Sequence, residues 1–172
     1  MKYAKRILPA LFALAMAIGM VSCGDDSSSA PAGSSSAAQA ASSDVALTDA
    51  TGKYFTVGVA DGWKLVTAEE AGSMMEADFV VKGTAFEATG TYLQISQTTG
   101  NIDDWAAQIK NDTYIKYDGE YTYNGIKWYC ADKVAGADID GKIVTVYPQN
   151  GADLKDAAVQ AMLGSIRWAS GS

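Results

Sequence analysis

Asp103 and Asp104 can be read as a carboxylate pair. Adjacent helical residues do not face each other, so the two do not easily share a site. Their place just after Asn101 suits the first turn of a helix, where acidic side chains favour the dipole. Asp138-Ile139-Asp140-Gly141 has the spacing that opens a calcium loop, but the third acidic position and the distal Glu are missing. An Asp-Gly turn before a strand is the expectation there. The chain has no His, which removes His-based acid/base chemistry, Ser-His-Asp triads and His-ligated zinc. A Ser nucleophile would need a Lys base, and nothing in the sequence marks one. Gly-rich phosphate loops and CxxC pairs are absent. The chain therefore reads as a non-enzyme, with no catalytic residues, metal site or cofactor expected. A pocket holding two convergent carboxylates, or a Ser beside a Lys, would revive the enzyme reading.

Aromatic residues carry the stronger signal. Tyr114, Tyr117, Tyr121, Tyr123, Trp128 and Tyr129 lie within 16 residues. Tyr and Trp suit a surface that must be both apolar and able to hydrogen-bond. Tyr is also simply a good strand former. If the Trp128 face packs on a core, Tyr114, Tyr117 and Tyr129 are left exposed as a possible binding surface. Cys130 reads as a small buried apolar residue rather than a reactive thiol.

These residues need elements to position them. Phe55, Val57 and Val59 alternate along a half-buried strand. Asp61-Gly62 turns the chain into a second strand, Trp63 to Val66. Thr67-Ala68-Glu69-Glu70 has the form of a capping box opening a short helix, weakened by Gly72. Phe79 to Lys82 and Tyr92 to Gln97 read as strands. Asn101 caps a helix whose apolar stripe is Ile102, Trp105 and Ile109. Asn124-Gly125 between alternating runs predicts a two-residue hairpin with a type I′ turn. That register opposes Tyr123 to Ile126 and Tyr121 to Trp128. It places Tyr121, Tyr123, Ile126, Trp128 and Cys130 on one face, and Glu120, Thr122, Lys127 and Tyr129 on the other. Ile143 to Tyr147 predicts a central strand, ended by Pro148. Asp153 is expected to cap a last helix with Leu154, Ala157, Ala158, Ala161 and Met162 as its stripe. Gly164 should end or loosen that helix, and Ile166 and Trp168 close the domain. The order, with hairpins instead of βαβ crossovers, predicts an α+β fold: a mostly antiparallel β-sheet with helices packed on it.

The front of the chain reads as an address. Met1 to Arg6 is a short positive segment, and Ile7 to Val21 is almost wholly apolar. That run is shorter than the ~20 residues a bilayer span needs, and it fits a secretory signal over residues 1–22. Met20-Val21-Ser22-Cys23 resembles a bacterial lipoprotein lipobox, with Met20 in place of the commoner Leu. The resemblance implies that Cys23 is lipidated and becomes the first mature residue. A plain signal peptide that happens to hold a Cys is the other reading. The Ser/Ala/Gly-rich stretch that follows, 23–44, favours the lipoprotein. It has no large apolar group to bury and reads as a tether. Such a tether of ~20 residues spans roughly 25 Å. A single domain is expected over 45–172. Removing Lys2, Lys5 and Arg6 leaves 10 basic and 20 acidic residues, a net charge of −10. So acidic a body should be repelled by phosphate backbones, which argues against nucleic acid as a partner.

Three stretches resemble the PsbP-like fold family. Phe55-Thr56-Val57-Gly58-Val59-Ala60-Asp61-Gly62-Trp63 matches a strand followed by a Pro-x-Gly-Trp turn, with Ala60 where the Pro usually stands. Asn124-Gly125-Ile126-Lys127-Trp128-Tyr129 matches a Gly-x-x-aromatic hairpin, and Leu163-Gly164-Ser165-Ile166-Arg167-Trp168 a helix ending in Ser-Ile-x-aromatic. The resemblance covers about Lys53 to Ala169. It implies an α/β/α sandwich and a role in binding or stabilising other proteins, and it supplies no catalytic residues.

Together these readings predict a non-catalytic binding or assembly module outside the cytoplasm. Lipid on Cys23 would anchor it to a bacterial membrane, with an envelope protein or a glycan as partner. The alternative is a lipoprotein that captures glycan or cell-wall fragments through exposed Tyr and Trp.

Overall fold

The computed structural model describes residues 45–171. The signal segment, Cys23 and the tether lie outside the described residues. Ten strands and two helices follow in order: β1 (Leu47–Thr51), β2 (Phe55–Ala60), β3 (Trp63–Thr67), β4 (Ala77–Lys82), β5 (Tyr92–Thr98), α1 (Ile102–Asn111), β6 (Tyr117–Tyr123), β7 (Ile126–Ala131), β8 (Ala135–Ile139), β9 (Lys142–Gln149), α2 (Ala157–Ser165) and β10 (Arg167–Trp168). β3 to β9 form a seven-stranded sheet in the order β3-β4-β5-β9-β8-β7-β6, and β1, β2 and β10 form a small second sheet. Every pairing is antiparallel. The fold is α+β, as its hairpin-rich pattern predicts.

Alternation decides what each face of the large sheet does. Leu93, Ile95, Val144, Val146 and Trp128 point inward and pack with Val159 and Leu163 of α2 and with Phe55 and Val57 of β2. β9 is the middle strand, which is why it is Val/Ile-rich, and it runs on through Pro148 to Gln149. Pro148 does not end it. Beyond Val146 the β8 neighbour has stopped, and Pro148 pairs only with Leu93 of β5.

The outer face is covered at two places. Phe79, Phe86 and Tyr92 cluster over one end, with ring centroids 5.0–5.9 Å apart. At the other end α1 lies across β8. Asn101 caps α1, taking the Asp103 and Asp104 N–H groups at 2.7 and 3.4 Å. Trp105 seats against Gly136 so closely that a Cβ at 136 would lie 2.5 Å from the indole ring. Asp103 and Asp104 are thus helix-start residues.

Several local expectations change. Thr67 and Glu70 do make the reciprocal bonds of a capping box, Thr67 N–H to Glu70 Oε2 at 2.9 Å and Glu70 N–H to Thr67 Oγ1 at 3.2 Å. No helix follows, because Gly72 takes φ +66° and turns the chain away. β1, not recognised from the sequence, pairs with Thr56 to Ala60 of β2. The last helix is capped by Asp156, not Asp153. Its buried residues are Val159, Met162, Leu163 and Gly164, while Ala157 is exposed. Gly164 lies inside the helix, and its carbonyl takes the Asn124 side-chain N–H at 3.2 Å.

Candidate functional site

The Asn124-Gly125 hairpin forms in the expected register, Tyr123 opposite Ile126 and Tyr121 opposite Trp128. Asn124 at φ 48° and Gly125 at φ 81° supply the two left-handed residues that a type I′ turn needs. Trp128 is fully buried and Cys130 nearly so, so the Trp128 face does pack inward. Burial pushes the Cys130 thiol up to about 12, so it is protonated and poorly nucleophilic at neutral pH.

The expected tyrosine surface does not assemble. Tyr114 is exposed, Tyr117 is half-buried and Tyr129 is only 7% exposed. The reason is α1, which covers the outer face of the hairpin. Lys110 of α1 and Lys127 of β7 both pair with Glu120, at 2.9 and 2.8 Å. Lys127 lies 4.7 Å and Lys110 5.2 Å from the centre of the Tyr129 ring, and Lys110 lies 5.2 Å from that of Tyr117. The two lysines hold Glu120 below the usual carboxylate range, Lys127 contributing more. Tyr129 is packing under a helix.

A cleft opens instead on the other side of the same hairpin. Its volume is about 340 Å³, within the size range of small-ligand sites. One wall is Asp118, Tyr121 and Tyr123 of β6, and the facing wall is Asp153, Leu154 and Lys155 of the chain leading into α2. A β-bulge builds the first wall. Tyr117 pairs with Ala131 and Gly119 with Cys130, so β6 carries one residue more than β7 there. Simple alternation from Tyr121 would place Tyr117 on the inner face. The bulge reverses this: Tyr117 meets Lys110 on the outer face, and Asp118 joins Tyr121 on the inner one.

Both oxygens of Asp118 are used. Tyr121 donates its hydroxyl to Oδ2 at 2.8 Å, and Lys155 donates to Oδ1 at 2.9 Å. These bonds, Lys155 first, hold the Asp118 carboxyl below its ordinary range. Tyr121 is raised in turn, chiefly by that carboxylate, and burial raises Tyr123. The Tyr121 and Tyr123 rings stack, 6.1 Å between centroids and 9° between planes. Lys155 reaches Asp118 because the Asp153 side chain takes the Lys155 N–H at 2.8 Å, turning the chain back before α2 begins.

Asp132 and Asp153 also line the cleft. Asp132 accepts the Lys116 N–H at 3.0 Å, so all three carboxylates are bonded to the chain itself. Among the described residues no three His, Cys, Asp or Glu side chains come together in a way that could hold a metal ion. Nor is any helix among them long and apolar enough to cross a membrane.

Sequence reasoning missed Asp118 and Lys155. The available signal was Asp118-Gly119 at the start of an alternating run, because a Gly inside a strand often marks a bulge. No family model, curated protein or solved structure gave a significant match to the chain.

Proposed function

We propose that this chain is a non-catalytic binding or assembly module, held outside the cytoplasm by lipid on Cys23 of a bacterial lipoprotein. The observation that carries the binding reading is the tyrosine-walled cleft beside the β6 bulge. Bulges recur where a strand must re-aim a side chain at a site, and this one turns Asp118 into the cleft. The titratable groups there are tuned away from acid/base work at neutral pH. Asp118 is held ionised, Tyr121 and Tyr123 are held protonated, and Cys130 is held as the thiol. The carboxylates line the walls with partners of their own, unlike a converging catalytic pair. The lipobox and the Ser/Ala-rich stretch support the anchored placement, and the PsbP-like resemblance supports an assembly role.

A second reading is capture of glycan or cell-wall fragments. The half-buried Tyr121 ring at the cleft wall and the cleft volume favour it.

Two measurements test the proposal. Cys23→Ser should move the protein from the membrane fraction to the soluble one; retention in the membrane would overturn the lipid anchor. Thermal denaturation with a panel of oligosaccharides, cell-wall fragments, peptides and amines tests the cleft. A ligand at 100 times its Kd stabilises by about 2.7 kcal/mol, several degrees for a domain of this size. A flat panel, with no envelope protein recovered by crosslinking, would sink the binding reading.

A further inference from the structure

We infer that the cleft binds a cation, an alkylammonium or guanidinium group, with Asp118 as its anchor and Lys155 as a built-in stand-in that the ligand displaces. The inference rests on the cleft being the binding site, and it adds the chemistry of the ligand. Asp118 is fixed from the protein side by the bulge and by the Tyr121 hydroxyl at 2.8 Å. Its other oxygen is aimed into the cleft and holds an ammonium nitrogen at 2.9 Å, the Nζ of Lys155. The structure thus already displays an alkylammonium on this carboxylate.

The two partners are unequally held. The Asp118 side chain is 29% exposed and that of Lys155 67%. Among the described residues the Lys155 ammonium makes no other hydrogen bond or ion pair, so it can swing out to water. An exposed pair of this kind contributes little to stability, so exchanging one ammonium for another costs little. An incoming cation finds more than Lys155 leaves behind. Asp132 and Asp153 line the same cleft, and the half-buried Tyr121, stacked on the buried Tyr123, offers ring surface to a cation. Lys116 is the one further cation in the lining, so carboxylates outnumber free ammonium groups once Lys155 is displaced. The acidic body as a whole, −7 for the full chain, steers cations toward it. The same chemistry can come from a basic side chain of a partner protein or from a free oligoamine.

Titration of the full chain in detergent micelles, followed by amide NMR, decides the matter. The probes are spermidine, N-acetyl-lysine N-methylamide, neutral maltotriose and sodium chloride at matched ionic strength. Both amines, up to about 10 mM, should shift the amides of Gly119, Tyr121, Ala131 and Lys155, and the salt should not. Tighter binding of the lysine amide would point to a partner's side chain, and tighter binding of spermidine to a free amine. Asp118→Asn should weaken amine binding at least tenfold. Lys155→Ala should tighten it about threefold to fivefold, because the competing ammonium is gone. Tightening is the decisive sign, since a merely structural ion pair would not give it, and it stands even if Asp118→Asn folds poorly. Unchanged or weaker binding in Lys155→Ala would overturn the inference. Shifts with maltotriose but not with the amines would overturn the cation and leave the binding cleft standing. Shifts with no probe, together with a flat thermal panel, would overturn both.

Discussion

Each face of the β6–β7 hairpin brings together a carboxylate, lysine and tyrosine set, and only the inner set borders a cleft. On the outer face Glu120 takes two lysines, Lys110 from α1 and Lys127 from β7, and both lie over the Tyr129 ring. On the inner face Asp118 takes one lysine, from the irregular chain before α2, and a tyrosine hydroxyl. The residue types are nearly the same, and the covering differs. α1 is pinned by Trp105 against Gly136 and brings Lys110 down on the tyrosines. The segment before α2 stands beside the hairpin as a wall. Composition therefore says little about which tyrosines are available; the element laid across them decides.

The largest expected effect comes from the fully closed extreme. Asp78 is 0% exposed and accepts three backbone N–H groups, from Lys53, Tyr54 and Phe55, at 3.0, 2.7 and 2.9 Å. It fastens the β1–β2 turn to β4. Asp78→Ala would remove the acceptor of one buried and two part-buried N–H groups and should cost about 3–5 kcal/mol. Asp118→Ala, at the open end of the scale, should cost less than about 1 kcal/mol. Urea midpoints of the two variants measure the difference directly. Equal losses would mean that closure is not what separates these carboxylates.

A middle-sized effect is expected where α1 closes the outer face. Trp105→Ala removes a half-buried ring and should cost about 2 kcal/mol. It should also uncover Tyr129. Nitration by tetranitromethane, mapped by mass spectrometry, should modify Tyr114 in the native protein and spare Tyr129. In Trp105→Ala both should react. Tyr129 protected in the variant would mean that the lysines and Asp103, which accepts the Tyr129 hydroxyl at 3.4 Å, shield it without Trp105.

Much of this architecture was legible in the residues, because period-two alternation and turn chemistry are local. Phe55-Val57-Val59, Leu93-Ile95 and the Asn124-Gly125 register all stand as read. The failures share a cause. Alternation puts Tyr129 on the face opposite the core, but it does not say that a distant helix covers that face. β1 was missed because Leu47-Thr48-Asp49-Ala50-Thr51 has almost no apolar residue to alternate, and it is specified by pairing with β2. Asp153 and Asp156, three residues apart, both fit the role of helix cap. The structure gives the cap to Asp156 and makes Asp153 the residue that turns Lys155 toward the cleft. The site was illegible for a related reason. Asp118 and Lys155 are 37 residues apart, and a bulge brings them together.

The smallest effect is the pH dependence of the open pair, and its sign follows from the direction of the shift. Lys155 and Tyr121 lower the Asp118 pKa in the folded protein. The folded state therefore gives up this proton more readily than the unfolded chain, whose carboxyl titrates near the ordinary ~3.9. The contribution is fully present above about pH 4 and is lost as pH falls through the folded value. Glu120 shifts in the same direction, so the acid limb of the wild-type curve contains both groups. Comparison with Asp118→Asn isolates one of them. The gap in Tm between the two proteins should be small at pH 7, equivalent to at most about 1 kcal/mol, and should close as the pH falls through the folded Asp118 value. Salt near 1 M, where the screening length is about 3 Å, should narrow it at neutral pH. A gap that persists in acid would mean that Asp118 acts through shape or hydrogen bonding instead of charge. Asp118 would then act more like the buried Asp78 anchor than its partial exposure suggests.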